Sequence, residues 1–195
     1  MKILPNDIDL SGWELRKTLK LFRKSNPPFL EWLDSPIVYK ESYSTIAKFR
    51  EASKDYFNPK SCMYHYFNMA EGNFREYLKG EKVRIKKYFY VLRPVLACMW
   101  IERTNQMAPM EFDLMVESEI KDNNVKEKVL KLLERKKSGE ELDWEPKIDA
   151  IDQFLEEKVI YFKGFLKDFD FKKYPDTKRL NQIFRETLNE VDSLS

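Results

Sequence analysis

The chain has 195 residues, 43% hydrophobic and 14% aromatic, which suits one domain or one domain plus part of another and excludes a disordered chain. Its 35 basic and 33 acidic residues leave a net charge of +2, so wholesale polyelectrolyte binding does not follow from composition. Five glycines disfavour turn-rich β folds and a glycine-rich phosphate loop, and the two cysteines, Cys62 and Cys98, fall in apolar helical patterns as buried reduced thiols.

Asp7-Ile8-Asp9-Leu10 alternates polar and apolar residues, the period of a half-buried strand with both carboxylates on one face. Such a pair can hold divalent metal, and it can equally serve as turn and capping residues before a helix. Ser11-Gly12-Trp13-Glu14 has the capping-box spacing, with Ser11 as N-cap and Glu14 at N3. The helix it opens carries Leu15, Leu19 and Phe22 inward and Arg16, Lys17, Lys20, Arg23 and Lys24 outward. Ser25-Asn26-Pro27-Pro28 stops it and starts another, with Asn26 capping and proline in the first turn. A helix over 44–57 follows, with Ile46, Phe49 and Ala52 inward.

Asn58-Pro59 repeats the cap-plus-proline start, and Gly80 supplies the stop. Met63, Phe67, Ala70, Phe74 and Tyr77/Leu78 form the core face of that helix. His65, the only histidine, lies on a smaller polar face, where a hydrogen-bonded packing role and a pocket role both remain open.

The run 82–103 predicts one central helix. Ile85, Tyr88, Phe89, Leu92, Leu96 and Met99 recur at helical spacing, and Lys86, Tyr90, Arg93 and Ala97 fall on a second stripe beside Lys87. Pro94 removes one helix hydrogen bond and should bend it. Arg93 lies among apolar neighbours, so it calls for a carboxylate or a phosphate opposite. The apolar run 91–101 is short and contains Arg93, and no long apolar segment opens the chain; a cytoplasmic protein with no membrane association is expected.

Beyond it, Pro109 opens a short helix, Asn123 or Asn124 caps the next, and a longer helix is expected from Pro146 to about Asp168. Asp168-Phe169-Asp170 repeats the Asp-x-Asp spacing beside Lys172 and Lys173 and reads as a solvated turn. Asp176 caps a last helix with Leu180, Ile183, Phe184 and Leu188 on one side. The architecture expected is all-α, a multi-helix bundle of about eight helices with a short N-terminal strand remnant.

Three blocks carry a resemblance: Asp7–Leu19, Lys24–Tyr39 and Lys86–Pro94, supported by Tyr64-His65-Tyr66 and by Lys136–Leu142. Together they resemble the predicted nucleotidyltransferases of the DNA polymerase β superfamily found in RNA-repair-type gene clusters, the YcgL-like family. The resemblance implies NMP transfer from an NTP to an acceptor such as an RNA end, with Mg²⁺ and NTP as cofactors. Members begin with a nucleotidyltransferase domain holding a Gly-Ser turn and an Asp-x-Asp pair on the next strand, and this chain contains no Gly-Ser dipeptide. It therefore looks like the C-terminal part of such an enzyme, with 1–10 a remnant of the nucleotidyltransferase domain and 11–195 the helical C-terminal domain.

On that resemblance Asp9 takes the position of the third catalytic, metal-binding carboxylate, with Asp7 as second choice. Lys86, Lys87, Tyr90 and Arg93 become contacts to nucleotide phosphates, bases or an RNA backbone, and His65, Ser25 and Asn26 become pocket residues. One carboxylate does not organise two-metal displacement, so the chain is expected to be inactive alone and to bind a separate N-terminal nucleotidyltransferase polypeptide. Trp13, Leu15 and Ile8 would offer it an apolar patch. The alternative is a non-catalytic helical module that binds nucleic acid or a protein partner through the Lys86/Lys87/Arg93 face.

Overall fold

The computed structural model describes residues 2–3, 9–169 and 174–193, with backbone alone at 2–3 and 9–10. Among these, nine α-helices and two small antiparallel sheets form a mostly helical bundle. The all-α reading with a short strand near the start is correct. The chain divides into two compact units, 1–56 with 173–195, and 57–172.

In the first unit, β1 (Lys2–Ile3) pairs with β2 (Asp9–Leu10), so Asp9 stands opposite Ile3. Four helices follow: α1 (Leu15–Arg23), α2 (Pro27–Leu33), α3 (Thr45–Tyr56) and, from the end of the chain, α9 (Lys178–Ser193). Their core is aromatic. Phe22 meets Phe49 edge-on at 4.9 Å between ring centres, and Phe29 meets Phe49 at 5.1 Å. Helix α1 starts later than the capping box predicts, because Glu14 itself is the N-cap: its carboxylate accepts from the Lys17 and Arg16 amides at 2.6 and 3.0 Å. Trp13, which would have been the second residue of the predicted helix, instead stacks on Trp32 at 4.3 Å. Leu188 is exposed, and Thr187 takes the buried place on α9.

The second unit holds α4 (Pro59–Tyr77), β3 (Lys82–Arg84), α5 (Tyr88–Thr104), α6 (Phe112–Glu119), α7 (Asn123–Lys137), β4 (Trp144–Pro146) and α8 (Asp149–Asp168). Helix α5 is central and runs unbroken through buried Pro94, with Val91, Leu92 and Leu96 fully enclosed. Cys62 and Cys98 are buried free thiols, and burial pushes the Cys98 thiol well above its ordinary pKa.

The central helix is shorter than its periodicity predicts. Lys82–Arg84 is a strand paired with Trp144–Pro146, and Ile85–Lys87 is a single 3₁₀ turn. The cause is tertiary: the Ile85 and Lys86 amides donate to the carbonyls of Asp143 and Leu142, at 3.0 and 3.3 Å. Those amides are thus drawn away from helical pairing. For the same reason α8 begins at Asp149 rather than Pro146, which sits in β4. Asp122, not Asn123 or Asn124, caps α7, accepting from the Asn124 and Val125 amides.

Candidate functional site

Strands β3 and β4 alternate faces as a period of two requires. Val83 points inward and is fully buried, whereas Lys82, Arg84, Trp144 and Pro146 are exposed. The register sets Arg84 opposite Trp144, and the guanidinium lies 5.5 Å from the indole ring centre. An exposed ion pair also joins Arg84 to Asp143 at 3.6 Å. On the inner side Arg135 of α7 forks to Glu140 and Glu145, its Nη2 lying 2.6 and 2.5 Å from them, so the end of α7 grips β4 through a bidentate pair.

Directly after this sheet the chain turns into α5 and delivers Lys87. Its ammonium lies 3.8 Å from the Tyr77 ring centre and 4.5 Å from that of Tyr90. A cation between two π faces is held in place by the ring quadrupoles. Asn73 of α4 donates to the Tyr90 carbonyl at 3.0 Å and pins the start of α5 against α4. Glu76, accepting from the Tyr77 hydroxyl, holds that phenol above its ordinary pKa. Glu76, Tyr77, Arg84, Lys87 and Trp144 line an open cleft of ≈ 270 Å³.

The expected site residues divide as follows. Lys87, which lay beside the expected Lys86/Tyr90/Arg93 stripe, comes together with Tyr90, although it precedes α5. Lys86 is exposed on the 3₁₀ turn. Arg93 is half-buried, and its Nη1 donates to the Met110 carbonyl at 3.0 Å. His65 is half-buried on α4, edge-on to Tyr66 at 5.9 Å. Ser25 and Asn26 belong to the first unit and make structural bonds: the buried Ser25 hydroxyl donates to the Tyr56 carbonyl at 2.6 Å, and Asn26 caps α2. Asp9 is on β2, while Asp7, Ile8 and Asp170 lie outside the described residues. Sequence reasoning missed Arg84, Tyr77 and Trp144. The Lys82-Val83-Arg84 alternation was the available signal, and it was masked by the stronger helical period that follows.

The cationic face of α1 is only partly solvated. Arg16 lies 5.5 Å from the Phe184 ring centre, and Arg23 Nε donates to the Pro175 carbonyl at 3.1 Å. Among the described residues no group of three or more His, Cys, Asp and Glu side chains is placed to hold a metal ion. No helix among them is long and apolar enough to cross a membrane.

The profile of the RNA repair pathway DNA polymerase beta family, RlaP, matches residues 2–186. This chain belongs to that family. Consistent with it, the chain is 47% identical over 184 residues to the uncharacterized protein YcgL of Bacillus subtilis (strain 168), a match covering 94% of this chain and 71% of that protein. No solved structure matches the chain. Membership of RlaP extends across both units, from β1 into α9, so the Lys87 cleft and the α1–α9 unit are both parts of the family sequence.

Proposed function

We propose that this chain forms the helical part of a nucleotidyltransferase that moves NMP from an NTP to an RNA end, and that these 195 residues alone do not perform the transfer. Membership of the RlaP family over residues 2–186 carries this reading. On it, Asp9, with Asp7, belongs to a carboxylate set for Mg²⁺. Lys86, Lys87, Tyr90 and Arg93 hold nucleotide or RNA phosphates and bases, with His65, Ser25 and Asn26 as further pocket residues. In-line displacement at phosphorus needs several metal-holding carboxylates and a cradle of donors for the triphosphate, and the chain contains no Gly-Ser dipeptide to build that cradle.

A binding role without chemistry is the second reading, and it is favoured by Lys87 between Tyr77 and Tyr90, an arrangement suited to phosphate and base at once. The test is label transfer from NTPs to RNA with Mg²⁺ or Mn²⁺, with and without a second polypeptide carrying a Gly-Ser turn and an Asp-x-Asp strand. Expected is no transfer by the chain alone, and transfer in the mixture that Asp9→Ala abolishes. Transfer by the chain alone, lost in Asp9→Ala, would overturn the inactivity. RNA binding without transfer in any mixture would leave the binding role.

A further inference from the structure

We infer that the outer face of the β3–β4 sheet, with the cleft beside it, is a stacking platform for unpaired nucleotides of a single-stranded RNA, and that Trp144 is its base-stacking residue. The inference deepens the nucleic-acid reading above and rests on it for the class of ligand. Four features of this surface carry it. Trp144 keeps 59% of its surface exposed and Tyr90 keeps 50%. Both stand at the rim of a short cationic segment, Lys82 to Lys87, that contains four lysines or arginines. Arg84 lies over Trp144 and Lys87 lies over Tyr77 and Tyr90, so each platform ring already has a cation on it. The open cleft of ≈ 270 Å³ is lined by Tyr77 and Trp144 together with Arg84, Lys87 and Glu76.

The physical chemistry favours single strands over duplex. A base can stack on an exposed ring only if it is not already stacked and paired, whereas backbone phosphates are available in either form. Arg84 and Lys87 then serve the phosphates on either side of the stacked base. The Arg84–Asp143 pair is exposed, so exchanging Asp143 for a phosphate costs little. Arg135, by forking to Glu145 and Glu140, acts as a positioning residue that fixes β4 and hence the indole.

The experiment is fluorescence anisotropy of the 195-residue chain with a labelled oligouridylate of roughly 12 nucleotides, a length within the usual footprint of such surfaces, against the same length of oligothymidylate and of blunt RNA duplex. Expected is binding of the single strands in preference to the duplex. Trp144→Ala should weaken strand binding about ten-fold while leaving its salt dependence unchanged, and Trp144→Phe should restore most of the loss. Arg84→Glu, outside the core, should weaken binding by a similar factor and flatten the salt dependence. Unchanged affinity in Trp144→Ala, duplex bound as tightly as single strand, or no binding of either strand would each overturn the platform. Equal binding of thymidylate would extend it to single-stranded DNA. Transfer activity is scored separately, so loss of the platform leaves the transferase reading standing, and the converse also holds.

Discussion

The enclosed Tyr88 hydroxyl donates to Asp152 Oδ1 at 2.9 Å, and the phenol oxygen accepts from the Ile148 amide at 2.9 Å. One phenol at the start of α5 therefore joins the side chain of α8 to the backbone just before it. Tyr88→Phe should remove both bonds and leave a backbone donor without its acceptor. The expected cost is about 2 kcal/mol, read as a lower urea midpoint with an unchanged m value. A shift below experimental scatter would show that water replaces the hydroxyl.

Asp152 also sets a pH dependence. Burial, more than the opposing Tyr88 hydroxyl and Lys147, holds its carboxyl above the ordinary value of 3.8. A carboxyl whose folded pKa is raised binds its proton more tightly in the native state, so its contribution declines as pH rises from 3.8 through the folded value. Asp152→Asn keeps an acceptor for Tyr88 and should abolish that decline. Thermal melts of both proteins across the acid range check this.

Glu190 behaves in the opposite sense in the first unit. The Ser44 hydroxyl, then the Ser44 amide and Lys48, hold its pKa down to about 2. The stability it contributes is present above the unfolded value of 4.5 and is lost as pH falls towards 2. Glu190→Gln should therefore melt lower than the parent at neutral pH and converge with it near pH 2. Parallel melting curves at every pH would remove Glu190 from this account.

Ser25 carries a left-handed backbone, φ 51°, at the end of α1. Its amide donates to Phe22 O and that of Asn26 to Leu21 O, the paired bonds of a Schellman stop that usually holds glycine. Ser25→Ala keeps the strained backbone and loses the bond to Tyr56, so a loss of about 1–3 kcal/mol is expected. Ser25→Gly relieves the backbone by about 1 kcal/mol and should fall between Ala and the parent. Reversal of that order in chemical denaturation would mean the backbone strain is negligible here.

Arg135→Met should loosen β4 with a small global effect, about 1 kcal/mol, because the Arg135 fork is partly solvated. The local effect should be larger: faster amide exchange at Lys82–Arg84 and Trp144–Pro146, with α5 unchanged. Uniformly faster exchange throughout the second unit would instead make Arg135 a general core support.

Much of the helical content was legible because it is local. Asn26 and Asn58 each precede proline, and each accepts from an amide of the following turn as that pattern requires. Phe49, Ala52, Met63, Phe74, Leu92 and Leu96 are buried at the positions their period assigns. Side chains that choose between two caps were less legible: Glu14 displaced Ser11 because its own carboxylate reaches the first amides while Trp13 is occupied by Trp32. The pairing of Lys87 with Tyr90 was foreseeable at that spacing, but Tyr77 was not, since it arrives from α4.

By itself the sequence determined the helical class, the family blocks and the cationic run from Lys82 to Lys87, all properties of neighbours along the chain. Only the tertiary structure decided that this run is a strand and a turn rather than two turns of helix. The helical spacing that continues from Ile85 argues for a helix there, whereas the β-branched Val83 and Ile85 suit a strand as well. Strand β4 and the Asp143 and Leu142 carbonyls, contributed from far along the chain, satisfy the same amides and bring Trp144 beside Arg84. A three-residue strand has no partner written into its own residues, so the surface that Arg84, Lys87 and Trp144 share exists only once the second unit has closed.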